Sequence, residues 1–100
     1  MALADVKVIE KTKTKVKKPS KYAVKFFNDD KTSMEFVIQV LMTIFNHSPE
    51  SATQLMLKIH QNGSGVAGVY SHEIAEQKAF ETTQAARIAG YPLQVKVEED

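Results

Sequence analysis

The chain has 100 residues, 43% hydrophobic and 25% charged, with a formal net charge of +1 and no cysteine. That length supports one domain with one modest core, so a deep cleft between domains is excluded. The cysteine count removes disulfides, zinc ribbons, thiol nucleophiles and iron–sulfur clusters, and fits a reducing cytosol. No apolar run approaches the roughly 18 residues of a membrane span.

The charge is unevenly placed. Residues 1–19 carry six lysines against Asp5 and Glu10, while residues 20–100 carry seven basic and ten acidic groups. Glu10 to Pro19 has few large apolar groups and no secretory h-region. It reads as a flexible basic extension over residues 1–20, followed by a domain over 21–100. The domain itself is mildly acidic, which argues against nucleic-acid binding.

Tyr22-Ala23-Val24-Lys25-Phe26-Phe27 is rich in β-formers and predicts a first strand. Asn28 to Lys31 breaks it as a polar turn. Thr32-Ser33-Met34-Glu35 matches a capping box, with Thr32 as cap and Glu35 reaching back. Phe36, Val37, Val40, Leu41, Ile44 and Phe45 then recur at helical spacing, predicting a first helix from about Ser33 to His47. Ser48-Pro49-Glu50 restarts a helix, with Ala52, Leu55, Met56 and Ile59 on its buried face and Gly63 at its end. Val66 to Tyr70 predicts a second strand. Ser71 is placed to cap a third helix, whose small-residue face (Ile74, Ala75, Ala79, Thr82, Ala86, Ala89) suits close packing and which Gly90-Tyr91-Pro92 stops. Leu93 to Val97 alternates as a third strand. The order βααβαβ predicts an α+β domain: a small three-stranded antiparallel sheet with three helices on one side.

Asn28-Asp29-Asp30 is first a turn leading into a helix. The same three side chains also suit an ammonium group, whose donors need acceptors. His60 shares a helix face with Met56; it is either a satisfied structural histidine or a neutral acceptor for a ligand amine. His47 and His72 fall at helix ends, as solvated or capping groups. The three histidines lack metal-ligand spacing, and no HExxH or EF-hand pattern is present. No serine lies in a GxSxG turn. Asp29 and Asp30 can in principle pair as acid and base, but neighbours in a turn rarely converge on one atom. Met34, Val37, Met56 and Ile59 read as core, or as the wall of a pocket beside the polar cluster, since methionine adapts its shape to ligands.

Asn28 to Val37 resembles the signature NDDxTPMEFV of the ClpS family of Clp protease adaptors, and Ala52 to His60 resembles its second signature, AxxLMLxVH. Gly68-Val69-Tyr70, Glu73 to Lys78 and Tyr91-Pro92-Leu93 follow in the family's order, so the resemblance spans about residues 21–98. It implies a bacterial cytoplasmic, monomeric, non-enzymatic adaptor without cofactor. Such an adaptor binds proteins that begin with Leu, Phe, Tyr or Trp and delivers them to the unfoldase ClpA and its peptidase ClpP. By matching position, Asn28, Asp30 and His60, with Asp29 in the same cluster, hold the α-amino group. Asp29 and Thr32 also shape the site and meet the backbone of the following residues. Met34, Val37, Met56, Ile59 and Leu93 line a side-chain pocket, with Met34 as gatekeeper against β-branched residues. Glu73 and Lys78 contact the unfoldase, and the extension before Tyr22 serves delivery.

Two positions depart from the family pattern. Ser33 replaces proline, which implies a looser start to the first helix around the same site. Lys31 puts a cation beside the ammonium site, weakening binding modestly or tilting preference toward acidic second residues. Two rivals stand beside this reading: a ribosome-associated or structural interaction module of similar element order, by analogy of fold only, and a small hydrolase using Asp29 and Asp30.

Overall fold

The computed structural model describes residues 20–100. The expected basic extension, apart from Ser20, lies outside the described residues. The elements run β1 (Tyr22–Phe27), α1 (Met34–Thr43), α2 (Pro49–Asn62), β2 (Ser64–Tyr70), α3 (His72–Ile88) and β3 (Gln94–Glu99). The sheet is antiparallel in the order β2-β1-β3, with β1 in the centre. The fold is α+β, with the three helices on one side of the sheet. Val24 and Phe26 of β1 point into the helix layer and are fully buried, against Val37, Val40, Leu41, Met56, Ile59 and the small α3 residues Ala75, Ala79 and Ala86. No helix among the described residues is long and apolar enough to cross a membrane.

Local chemistry sets the boundaries, sometimes against the sequence pattern. α1 stops at Thr43, short of the expected His47. Ile44 and Phe45 keep the helical period, but they pack from a turn in which Asn46 takes a left-handed conformation (φ 59°). Phe45 drops edge-on against Phe26, ring centroids 5.4 Å apart. Asparagine tolerates that backbone better than most residues. β2 begins at Ser64, two residues before the expected Val66, because Ser64 and Gly65 pair with Phe27 and Phe26.

The histidines expected at helix ends behave differently from one another. His47 is half-buried and bridges two elements: its Nε2 lies 2.7 Å from the Ala67 carbonyl and its Nδ1 2.8 Å from the Ser51 hydroxyl. A carbonyl only accepts, so Nε2 carries the proton and, in the neutral ring, Nδ1 accepts from Ser51. Ala67 is the extra residue of a β-bulge, since Val24 faces Gly68 while Lys25 faces Val66. His47 is therefore a tie between α2 and β2, not a solvated group. His72 sits edge-on to Tyr22 at 4.7 Å and 3.4 Å from Glu76 on the surface.

Candidate functional site

The loop after β1 is built around one carboxylate. Asp29 Oδ1 accepts from the amides of Lys31 and Thr32, each at 2.7 Å, and Oδ2 accepts from the Thr32 hydroxyl at 2.8 Å. Burial alone raises the Asp29 carboxyl. The Thr32 amide and hydroxyl, the Lys31 amide and the charge of Arg87 outweigh it and hold the group below its usual value near 3.8. The Thr32 hydroxyl is thus committed to Asp29, and the expected capping box does not form. Ser33 is the N-cap instead, accepting from the Phe36 amide at 3.1 Å. Its φ of −71° and ψ of 148° suit proline as well as serine. The serine adds a side-chain cap that proline lacks, so the helix start is not loosened. Ser71, by contrast, occupies the N-cap of α3 without a side-chain bond.

The second segment reaches this loop through glycine. Gly63 ends α2 in a left-handed conformation (φ 91°), and its carbonyl accepts from the Asn28 amide at 2.9 Å. That bond sets the end of α2 beside the start of the loop, though some thirty positions separate them. Two residues on, a Cβ at Gly65 would lie 2.8 Å from Ile59 Cγ1. Glycine there lets β2 approach α2 without displacing Ile59.

Between loop, α1 and α2 lies a cavity of about 210 Å³, lined by Asn28, Asp29, Asp30, Thr32 and His60 on its polar side. Met34, Val37, Met56 and Ile59 form its apolar wall. Met56 is 7% exposed at the base, while Met34 is 46% exposed at the rim. Asp30 and His60 are exposed, and neither side chain has a hydrogen-bond or ion-pair partner among the described residues. The site therefore joins uncommitted acceptors to a greasy hole. Among the described residues no three His, Asp or Glu side chains are arranged to hold a metal ion.

Three expected site residues stand apart from this cavity. Leu93 is 2% exposed and belongs to the core rather than to the lining. Glu73 is exposed in the first turn of α3. Lys78 is half-buried: its ammonium donates to the Ile44 carbonyl at 2.7 Å and lies 5.8 Å and 5.3 Å from the rings of Phe45 and Tyr70. It closes the C-terminal end of α1, so its charge is spent inside the fold. Sequence reasoning missed the Gly63–Asn28 tie, which is backbone chemistry with no side-chain signature. It also passed over Arg87, whose only local signal is a cation in the last turn of a helix.

The sequence model of the family described as ATP-dependent Clp protease adaptor protein ClpS matches residues 17–96. The ATP-dependent Clp protease adapter protein ClpS of Campylobacter jejuni (strain RM1221) is 51% identical over 87 residues, covering 87% of this chain and 91% of the relative. That of Maricaulis maris (strain MCS10) is 51% identical over 90 residues, covering 90% of this chain and 83% of the relative. Among solved structures, Agrobacterium tumefaciens ClpS2 bound to L-phenylalaninamide matches with a TM-score of 0.80 at 38% identity, over 83% of this chain and 100% of that one. The fold is thus that of a protease adaptor domain. The chain belongs to the ClpS family of Clp protease adaptor proteins.

Proposed function

We propose that the cavity captures the first residue of a polypeptide and that the protein, a monomeric cytoplasmic adaptor, delivers that polypeptide to ClpA and ClpP. The single observation that carries this reading is the meeting of Asn28, Asp30 and His60 with the apolar wall of Met34, Val37, Met56 and Ile59 around one cavity. A free α-amino group, with a pKa of about 7.7–8.0, is largely charged at neutral pH. Asn28, Asp30 and His60 supply acceptors for its three N–H bonds, while Asp29 keeps the loop in shape. At about 210 Å³ the cavity is below the roughly 300–1,000 Å³ of drug-sized sites, and suits one large side chain.

Magnitudes explain why both halves are needed. Burying a Leu or Phe side chain gains about 1.5–3 kcal/mol, less than the roughly 4 kcal/mol of even a millimolar complex. Charge-assisted hydrogen bonds of about 1.5–3 kcal/mol each supply the rest. An internal Leu or Phe has no ammonium, so selectivity for true N-termini follows. Met34 at the rim crowds the Cβ of the bound residue, which favours Leu, Phe, Tyr and Trp over β-branched residues. The L-phenylalaninamide bound by the Agrobacterium relative, a free amine next to an aromatic side chain, supports the same chemistry. Glu73 lies exposed on α3 for contact with the unfoldase, whereas Lys78 shapes that corner from within.

Fluorescence anisotropy with a Leu-initiated peptide and its N-acetylated twin tests the reading. The free peptide binds and the acetylated one does not, because acetylation removes the charge. Binding of the free peptide also falls as pH rises past about 8, where the amine loses its proton. Equal affinity for the two peptides refutes the proposal.

A further inference from the structure

A second concavity borders the first across the Asn28–Ser33 loop. It is a shallow, open depression of about 520 Å³ between Lys31 and the turn after α3, lined by Lys31, Arg87, Gly90, Tyr91, Pro92 and Gln94. That turn is fixed. The Tyr91 amide donates to the Ala86 carbonyl at 2.8 Å, and Gly90 takes a left-handed conformation (φ 87°). Arg87 Nη1 donates to the carbonyls of both Tyr91 and Leu93 at 2.9 Å. These bonds anchor one nitrogen of the guanidinium and leave its other N–H groups without a hydrogen-bond partner among the described residues. The Tyr91 ring packs on Phe36 of α1 at 5.1 Å, which ties the cleft wall to the helix that carries Met34.

The loop sorts its side chains between the two concavities. Asn28, Asp29, Asp30 and Thr32 line the apolar cavity, and Lys31, between them in sequence, lines the cleft. The backbone amide of Lys31 is held by Asp29, but its exposed side chain is not needed for the turn. Ion pairs among the described residues are Lys25–Glu98 and His72–Glu76, and neither Lys31 nor Arg87 belongs to one. The nearby carboxylates are Asp29, already bonded to two amides and a hydroxyl, and Asp30, which faces the cavity.

An extended polypeptide advances about 3.3–3.6 Å per residue, so one held by its first residue and leaving on the Lys31 side of the loop carries its second and third side chains past Lys31. In the complex the ammonium offsets Asp30 and Arg87 offsets the nearby Asp29, so the net charge left at the rim is positive and is carried by Lys31. We propose that Lys31 and Arg87 form a carboxylate subsite that makes this protein favour polypeptides carrying Asp or Glu one or two residues after the captured N-terminus. This inference rests on the capture of N-termini argued above.

Anisotropy titrations with Leu-initiated peptides that differ only in Glu, Gln or Lys at position two, and in a second set at position three, test it. In low salt the Glu peptide of at least one set binds about two- to five-fold tighter than its Gln counterpart, the scale of exposed ion pairs. In about 1 M salt, with a screening length of about 3 Å, the ratio falls to near one. Lys31→Gln lowers the low-salt ratio, and Lys31→Glu makes the Lys peptide the tightest. Equal binding of Glu, Gln and Lys peptides in both sets overturns the subsite while leaving capture of the N-terminus intact. Failure of every Leu-initiated peptide to bind overturns both.

Discussion

The Asn28–Ser33 loop and the corner where α3 meets the end of α1 both carry charged side chains at positions the family resemblance marks as functional, yet they spend those charges differently. In the loop, Asp29 is consumed by three internal hydrogen bonds while Asp30, its neighbour, has no side-chain partner among the described residues and faces a cavity. At the corner, the Lys78 ammonium is consumed by the Ile44 carbonyl and the faces of Phe45 and Tyr70, while Glu73 stays exposed. Each region thus pairs a polar group that builds the structure with one left exposed. A matching residue type marks the region, and only the hydrogen-bond accounting separates the two roles.

Substitutions that separate these roles can break or sharpen the contrast. The largest effect falls on Asp30→Ala, which weakens binding of a Leu-initiated peptide by about ten-fold or more, the scale of one charge-assisted hydrogen bond, with little change in stability. Loss of stability with affinity retained reverses the roles assigned to Asp29 and Asp30. Lys78→Ala does the opposite: urea unfolding shows a loss of about 1–2 kcal/mol from the missing carbonyl bond and ring contacts, while peptide affinity of the isolated protein holds. An unchanged midpoint makes Lys78 a surface cation after all. His60→Ala lowers peptide affinity about three- to ten-fold with an intact melting curve, since a neutral acceptor is worth about 1 kcal/mol.

Asp29→Asn has the smallest effect, a loss of about 0.5–1 kcal/mol of stability at neutral pH, on the scale of a lost cap. Its pH dependence carries the sign. The folded carboxyl lies below its usual value near 3.8, so its contribution is complete above that value and vanishes as pH falls through the lower, folded one. Urea midpoints of wild type and Asp29→Asn therefore differ at pH 7 and converge in strong acid. A gap that widens on acidification contradicts the loop's design.

The β-formers of Tyr22–Phe27, the Pro49 start of α2 and the small-residue face of α3 made the element order readable from sequence. Nearest-neighbour signals carried less at the loops. The sequence pattern makes Thr32 the cap, but Asp29 claims its hydroxyl and the cap falls to Ser33. Ile44 and Phe45 continue a helical period but pack from a turn, because Phe26 offers Phe45 an aromatic edge. At the site, Asn28, Asp30, Met34, Met56 and His60 were legible as candidates, but the Gly63 carbonyl that brings the two segments together was not. The family resemblance alone places Leu93 in the pocket; alternation puts it on a buried face without saying whether the far side is core or cavity, and it lies in the core.

The central claim is that one cavity, between the Asn28–Ser33 loop and α2, receives the first residue of a polypeptide. Titrating the isotope-labelled protein with L-phenylalaninamide and following backbone amide resonances by NMR tests this most directly. The account predicts saturable shifts concentrated in residues 28–37 and 56–63, with α3 around Glu73 and Lys78 unmoved. Shifts centred on α3 or on the open sheet face, or no saturable shift at all, would contradict it.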